Sequence, residues 1–147
     1  RILNFPRIMN VLIIEDETPA AEKLERYLLK HDAATDIKAC LTSIHDSVIY
    51  LKDKQHELDL IFMDIQLSDG LSFEIFSQVS IKKPVIFTTA FDEYAIDAFK
   101  VNGVDYLLKP IRFTDLSNSL KKLDVLREQL LGKPNLGNES KLPEEAL

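Results

Sequence analysis

The side chains with most chemistry in them stand just past apolar runs: Glu15 and Asp16 follow VLII, Asp64 follows LIFM, Thr89 and Ala90 follow VIFT, and Lys109 follows DYLL. If those runs are parallel strands, all these groups emerge at one edge of one sheet, the edge at which open α/β sheets bind ligands. Three carboxylates, a hydroxyl and an ammonium converging there suit a magnesium-dependent site for a phosphoryl group.

The charges support that reading. Two carboxylates about 4 Å apart repel by roughly 4 kcal/mol at an effective dielectric near 20, so three clustered acids call for a cation or a raised pKa. Oxygen-only ligands select a hard ion, Mg²⁺ or Mn²⁺, held by Glu15 and Asp16 directly or through water. Asp64, centred at the end of the third strand, is the natural nucleophile. Phosphoryl transfer spreads negative charge that fixed positive groups must meet. Lys109 supplies one such charge, the Thr89 hydroxyl can donate to a phosphate oxygen, and Ala90 leaves room for the incoming group. A carboxylate nucleophile gives an acyl phosphate, whose ready hydrolysis suits a timed signal.

Positioning these groups requires alternating strands and helices. Apolar period and punctuation predict a strand over Asn10 to Ile14, then a helix with Thr18 as N-cap, Pro19 in its first turn, and Ala21, Leu24, Tyr27, Leu28 and Leu29 on its buried side. Asp36 to Leu41 reads as a strand and Ser43 to Lys54 as a helix with Ile44, Val48 and Leu51 at helical spacing. Leu58 to Met63 is a strand covered on both faces. After a turn at Asp69 and Gly70, Leu71 to Val79 reads as a third helix, with Phe73 and Phe76 in the core. Val85 to Thr89 is the fourth strand and Asp92 to Val101 a short helix ended by Asn102 and Gly103. Val104 to Leu108 is the fifth strand, and Thr114 caps a last helix carrying Leu116, Leu120, Leu123 and Leu126 against the sheet. The expected fold is α/β: a doubly wound, five-stranded parallel sheet, order 2-1-3-4-5, with helices on both faces. Its switch point lies between the strands that end in Glu15, Asp16 and Asp64.

Composition is consistent with one globular domain: 147 residues, 46% hydrophobic and 29% charged. A formal net charge of -6 argues against DNA as a direct ligand. Cys40 is the only cysteine, so no intramolecular disulfide or Cys-based metal cluster is available; it reads as a small buried hydrophobe at a strand end. His31, His45 and His56 lack ligand spacing and read as surface residues. No apolar run approaches a membrane span, and a cytoplasmic location is expected.

With these motifs in order, Asn10 to about Leu131 resembles the receiver domain of bacterial two-component response regulators. TAFDEYAIDAFKVNGVDYLLKPI, Thr89 to Ile111, further resembles receivers of the LytTR (LytR/AlgR) branch, in which a DNA-binding domain follows. The resemblance implies a flavodoxin-like receiver fold, Asp64 as phospho-acceptor, Glu15 and Asp16 as the acidic pair, and the Gln66 backbone carbonyl as a further ligand for Mg²⁺. It also implies Thr89 and Lys109 as phosphate partners, Tyr106 as the aromatic that reorients on activation, and a cis Lys109-Pro110 bond. The partners implied are a sensor histidine kinase and DNA through a C-terminal domain. Such a domain assists its own phosphorylation and dephosphorylation without being an enzyme in the usual sense.

One departure is visible. Receivers commonly place proline four residues after the acceptor, whereas here Ser68 stands there and Gly70 follows early, so a shortened loop is expected. The expected organisation is residues 1–8 as an expression remnant or disordered N-terminus, 9–131 as the receiver, and 132–147 as a linker toward an absent LytTR-type domain. Tyr94 and Ile96, on or beside the polar stripe of the Asp92 to Val101 helix, are expected to contribute to a homodimer promoted by phosphorylation. Two rival functions are an aspartate-nucleophile phosphatase and a receiver-like interaction module that is never phosphorylated. The first wants a second Asp two residues after the nucleophile, where Gln66 stands; the second does not account for the full set of site residues. A nucleotide-binding domain is excluded by the glycine-free turn EDETPA.

Overall fold

The run VLII sets the architecture. In β1 (Asn10–Ile14) side chains alternate between the faces of the sheet, so an unbroken apolar run requires cover on both. A computed structural model, which describes residues 8–91 and 103–130, supplies that cover. Leu12 and Ile14 join one core layer and Val11 and Ile13 the other.

After β1 come α1 (Thr18–His31), β2 (Asp36–Leu41), α2 (Ile44–Lys54), β3 (Leu60–Asp64), a hairpin of β4 (Gln66–Leu67) and β5 (Gly70–Leu71), and α3 (Ile75–Gln78). Then come β6 (Val85–Thr89), β7 (Gly103–Leu108) and α4 (Phe113–Leu130). The main sheet runs β2-β1-β3-β6-β7 with every pair parallel, so its five long strands have the expected order 2-1-3-4-5. One layer packs Ile44, Val48 and Leu51 of α2 and Ile75 of α3 on Ile61, Met63 and Phe87. The opposite layer packs Leu24 and Leu28 of α1 and Leu116, Leu120 and Leu123 of α4 on Phe62 and Ile86. Phe73 and Phe76 are only half-buried, but both rings lie against Phe87, with centroids 5.4 and 6.0 Å away. Among the described residues no helix is long and apolar enough to cross a membrane.

Several local expectations are corrected. Thr18 is the first residue of α1 rather than its cap: the Glu17 carbonyl accepts from the Ala21 N–H, so extended Glu17 is the N-cap. The Arg112 carbonyl likewise accepts from the Leu116 N–H, so α4 begins at Phe113 and Thr114 lies inside it. Leu29 and Leu126 are exposed. The inward row of α4 runs through Leu116, Leu120 and Leu123 to Arg127, which donates to the Asp59 carbonyl at 2.7 Å, and Leu126 is turned away from it. Cys40 is exposed because β2 is an edge strand, with Asp36, Lys38 and Cys40 outward and Ile37, Ala39 and Leu41 half-buried.

The largest correction follows Asp64. In place of a helix over Leu71 to Val79, Gln66 pairs with Leu71 and Leu67 with Gly70 in a tight antiparallel hairpin. A 3-10 turn over Ser72–Glu74 and the single turn of α3 come next. Gly70 has φ 140°, which favours glycine, and that conformation turns the chain back where a helix would have begun. The expected helix from Asp92 to Val101, with Tyr94 and Ile96, lies outside the described residues, as do residues 1–7 and 131–147.

Phe87 is fully buried under Phe73 and Phe76. Phe87→Ala should therefore lower unfolding free energy by about 3–5 kcal/mol, read as a drop in the urea midpoint at unchanged slope; a loss under 1 kcal/mol would show that the layer collapses onto the cavity.

Candidate functional site

Sheet register brings the site together. Ile14 lies beside Met63, Asp64 beside Thr88, and Thr89 beside Leu108, so β1, β3, β6 and β7 all end at one level. The residues just past or at those ends are Glu15, Asp16, Asp64, Thr89 and Lys109. The Lys109 N–H donates to the Thr89 carbonyl at 2.7 Å, which carries the pairing one residue past β7, and the Lys109-Pro110 bond is cis as expected.

Lys109 Nζ donates to Glu15 Oε1 at 2.8 Å and to Asp64 Oδ2 at 3.1 Å. Each of these buried carboxylates gives its other oxygen to a backbone N–H two residues on. Glu15 Oε2 accepts from Glu17 at 3.1 Å, and Asp64 Oδ1 accepts from Gln66 at 3.3 Å. Asp16, half-buried, completes the group: one oxygen from each of Glu15, Asp16 and Asp64 lies within 4.8 Å of the others. Thr89 is buried, and its Oγ1 accepts from the Phe91 N–H at 3.0 Å, leaving the hydroxyl proton free to donate elsewhere.

Burial pushes the Glu15 carboxyl above its ordinary range, and the neighbouring Asp64 charge adds to this, although the hydrogen bond from Lys109 opposes it. Burial works against the Lys109 ammonium, but its hydrogen bond to Glu15 and the Asp64 charge outweigh that and raise its pKa. Three carboxylates against one ammonium still leave a negative centre built only of oxygen donors. That donor set fits a hard divalent cation.

Glu15, Asp16, Asp64, Thr89 and Lys109 thus share one edge of the sheet. Gln66 contributes a backbone N–H to Asp64, and its own side chain is exposed. Tyr106 lies in β7, half-buried against the layer that holds Phe87. Glu17 was not anticipated. Its carboxylate stands 4.0 Å from Lys109, and the only trace in sequence is the acidic character of EDET.

Known proteins resemble this chain in sequence and in fold. The family model described as "Response regulator receiver domain" matches residues 11–121. The "Sensory transduction protein LytT" of Bacillus cereus is 36% identical over 118 residues, covering 78% of this chain and 47% of that protein. The "Positive alginate biosynthesis regulatory protein" of Pseudomonas aeruginosa is 34% identical over 117 residues, covering 78% of this chain and 46% of that one. The chain therefore spans about half the length of these curated relatives. The crystal structure of the response regulatory domain of protein mrkE from Klebsiella pneumoniae superposes with a TM-score of 0.71 at 31% identity, over 82% of this chain and 99% of that one.

Half-buried Asp16 faces two other acids, so in metal-free buffer it costs stability. Asp16→Asn should raise stability in EDTA by about 1 kcal/mol, the Coulomb repulsion across about 5 Å at a water-like dielectric. The same change should shrink the rise in melting temperature on adding Mg²⁺, measured by circular dichroism. A variant less stable in EDTA, with the wild-type response to Mg²⁺, would contradict this account.

Proposed function

The chain belongs to the response regulator receiver domain family, and on that premise we propose that Asp64 accepts a phosphoryl group from a sensor histidine kinase and thereby switches an output that regulates transcription. The observation that carries this reading is the double hydrogen bond of Lys109 to Glu15 and Asp64. It keeps a nucleophilic carboxylate and a cationic partner for phosphoryl oxygens within one buried contact.

A carboxylate oxygen of Asp64 attacks phosphorus, the bond from phosphorus to the donor breaks, and an acyl phosphate results. Lys109 meets the negative charge of the transferred group, and the free proton of the Thr89 hydroxyl serves as a further donor. Glu15, Asp16 and Asp64, with the backbone carbonyl of Gln66, would hold Mg²⁺ or Mn²⁺, which when bound neutralises charge on the phosphoryl oxygens. The same residues assist the later attack of water on phosphorus, which breaks its bond to the Asp64 oxygen, releases inorganic phosphate and restores the carboxylate.

Phosphorylation adds roughly -1.5 to -2 charges beside Lys109. The added group draws Thr89 and Lys109 toward it, and Tyr106 moves into the space released, altering the surface around β7 and α4. A phosphorylation-promoted homodimer, to which Tyr94 and Ile96 contribute, and DNA contact through a LytTR-type domain C-terminal to residue 131 complete the proposal. The regulatory name of the alginate relative and the sensory transduction name of LytT support a signalling output of this kind. The proposed location is the cytoplasm, where the kinase domain and DNA are both reached.

Incubation with acetyl phosphate and Mg²⁺, followed by mass spectrometry, should add one phosphoryl group at Asp64. Asp64→Asn and EDTA-treated protein should take none, and Lys109→Met should label about 10²-fold more slowly. Undiminished labelling in EDTA, or an adduct mapped elsewhere, would refute the assignment.

A further inference from the structure

The hairpin after Asp64 is fastened to a helix far from it in sequence. Both carboxylate oxygens of Asp69, at the hairpin tip, accept from the Ile44 N–H at 3.0 Å, and Oδ2 lies 3.4 Å from the His45 N–H. These are the first two N–H groups of α2, which have no partner within the helix. The third belongs to Asp46 and goes to Ser43 Oγ, the ordinary N-cap bond. Asp69 thus supplies from outside the negative charge and acceptors that Ser43 alone cannot provide.

The attachment is close and stiff. A Cβ built on Gly70 would stand 3.2 Å from Ile44 Cδ1 and 3.3 Å from Glu74 Oε2, so the turn is already in contact with α2. Ile44, Val48 and Leu51 bury α2 in the core, and Leu67 of the hairpin joins the same layer. At the hairpin root, the Ser72 N–H donates to the Ile65 carbonyl at 2.8 Å. One residue on from Ile65, the Gln66 N–H donates to Asp64 Oδ1 at 3.3 Å. This last bond is long, and so it is the one most easily lost if the hairpin shifts.

We propose that Asp69 is a positioning residue for the reaction at Asp64: by docking the hairpin on the N-terminus of α2 it fixes the Gln66 backbone against the Asp64 carboxylate. The inference rests on the phosphoryl-accepting role assigned to Asp64 above. Asp69 touches none of the reacting atoms. It sets where Oδ1 of Asp64 points and where the Gln66 peptide lies.

The test uses the whole chain in three measurements: Mn²⁺ titration followed by electron paramagnetic resonance, acetyl phosphate labelling of Asp64, and amide hydrogen exchange. Asp69→Ala should raise the Mn²⁺ half-saturation and slow labelling by about tenfold each, as loss of an outer partner of a metal-binding carboxylate does. Exchange at Ile44, His45 and Gln66 should speed up together. Asp69→Asn retains a carbonyl acceptor for the Ile44 N–H and should return both values to within about threefold of wild type. Gly70→Ala, with the carboxylate intact, should reproduce the defect through the crowded turn. Leu123→Ala destabilises the other face of the sheet and should leave Mn²⁺ half-saturation unchanged, which separates positioning from general loss of stability. Half-saturation in Asp69→Ala equal to that in Leu123→Ala, or an Asn variant as impaired as the Ala variant, would overturn the proposal. If wild-type protein takes no label, the assigned reaction fails, while the Mn²⁺ and exchange measurements still decide the part played by Asp69.

Discussion

A single ammonium group reaches two buried carboxylates from three different strand ends. Lys109 follows β7, Glu15 follows β1, Asp64 closes β3, and the two bonds between them are 2.8 and 3.1 Å long. Removing one partner from such a buried arrangement leaves an uncompensated charge and typically costs about 3–5 kcal/mol, whereas the intact arrangement gains little over apolar packing. The triad is therefore poorly explained as a stabilising device. It is well explained as a store of charge held ready for a ligand that brings its own.

That readiness depends on register. Because side chains alternate with a period of two, a slip of one residue in β3 would send Asp64 to the opposite side of its strand and bring Met63 to the site. The four-residue pairing of β1 with β3 and of β3 with β6, fixed by apolar groups on both faces, prevents this. The core and the chemistry are consequently not separate parts of the molecule. Val11 to Ile14 and Leu60 to Met63 set the positions of Glu15 and Asp64 as directly as any hydrogen bond does.

The parts of the fold legible in sequence are those in which each residue's surroundings follow from its neighbours. VLII and LIFM are unbroken apolar runs and VIFT is broken only by its last residue, and their meaning as doubly covered strands requires no knowledge of distant contacts. Alternation with helices implies a parallel sheet covered on both faces, whose strand ends bring the polar groups to one edge. The other elements are decided by distant partners. Nothing around Asp69 reveals that its acceptors meet Ile44, 25 residues earlier, so the local pattern predicts a turn into a longer helix where the hairpin stands. Arg127 ends the inward row of α4 because the Asp59 carbonyl accepts from its guanidinium. Thr18 and Thr114 have the chemistry of caps, but the carbonyls of Glu17 and Arg112 accept the first helical bonds. In β2, at the sheet's edge, exposed and half-buried residues alternate, and Cys40 falls among the exposed ones with Asp36 and Lys38.

A sheet that does not close must end, and at β2 one row of backbone groups has no neighbouring strand among the described residues. Such a rim invites another chain to add a strand, the first step toward uncontrolled aggregation. Here the outward positions are Asp36, Lys38 and Cys40, and the first two form a loose 3.5 Å ion pair along the rim. An incoming strand would have to strip water from both charges to lie flat. The parallel bulge between Val11 and Leu12 also breaks the even spacing that a growing ladder would copy. The edge that bears no chemistry is thus shaped to turn away an added strand.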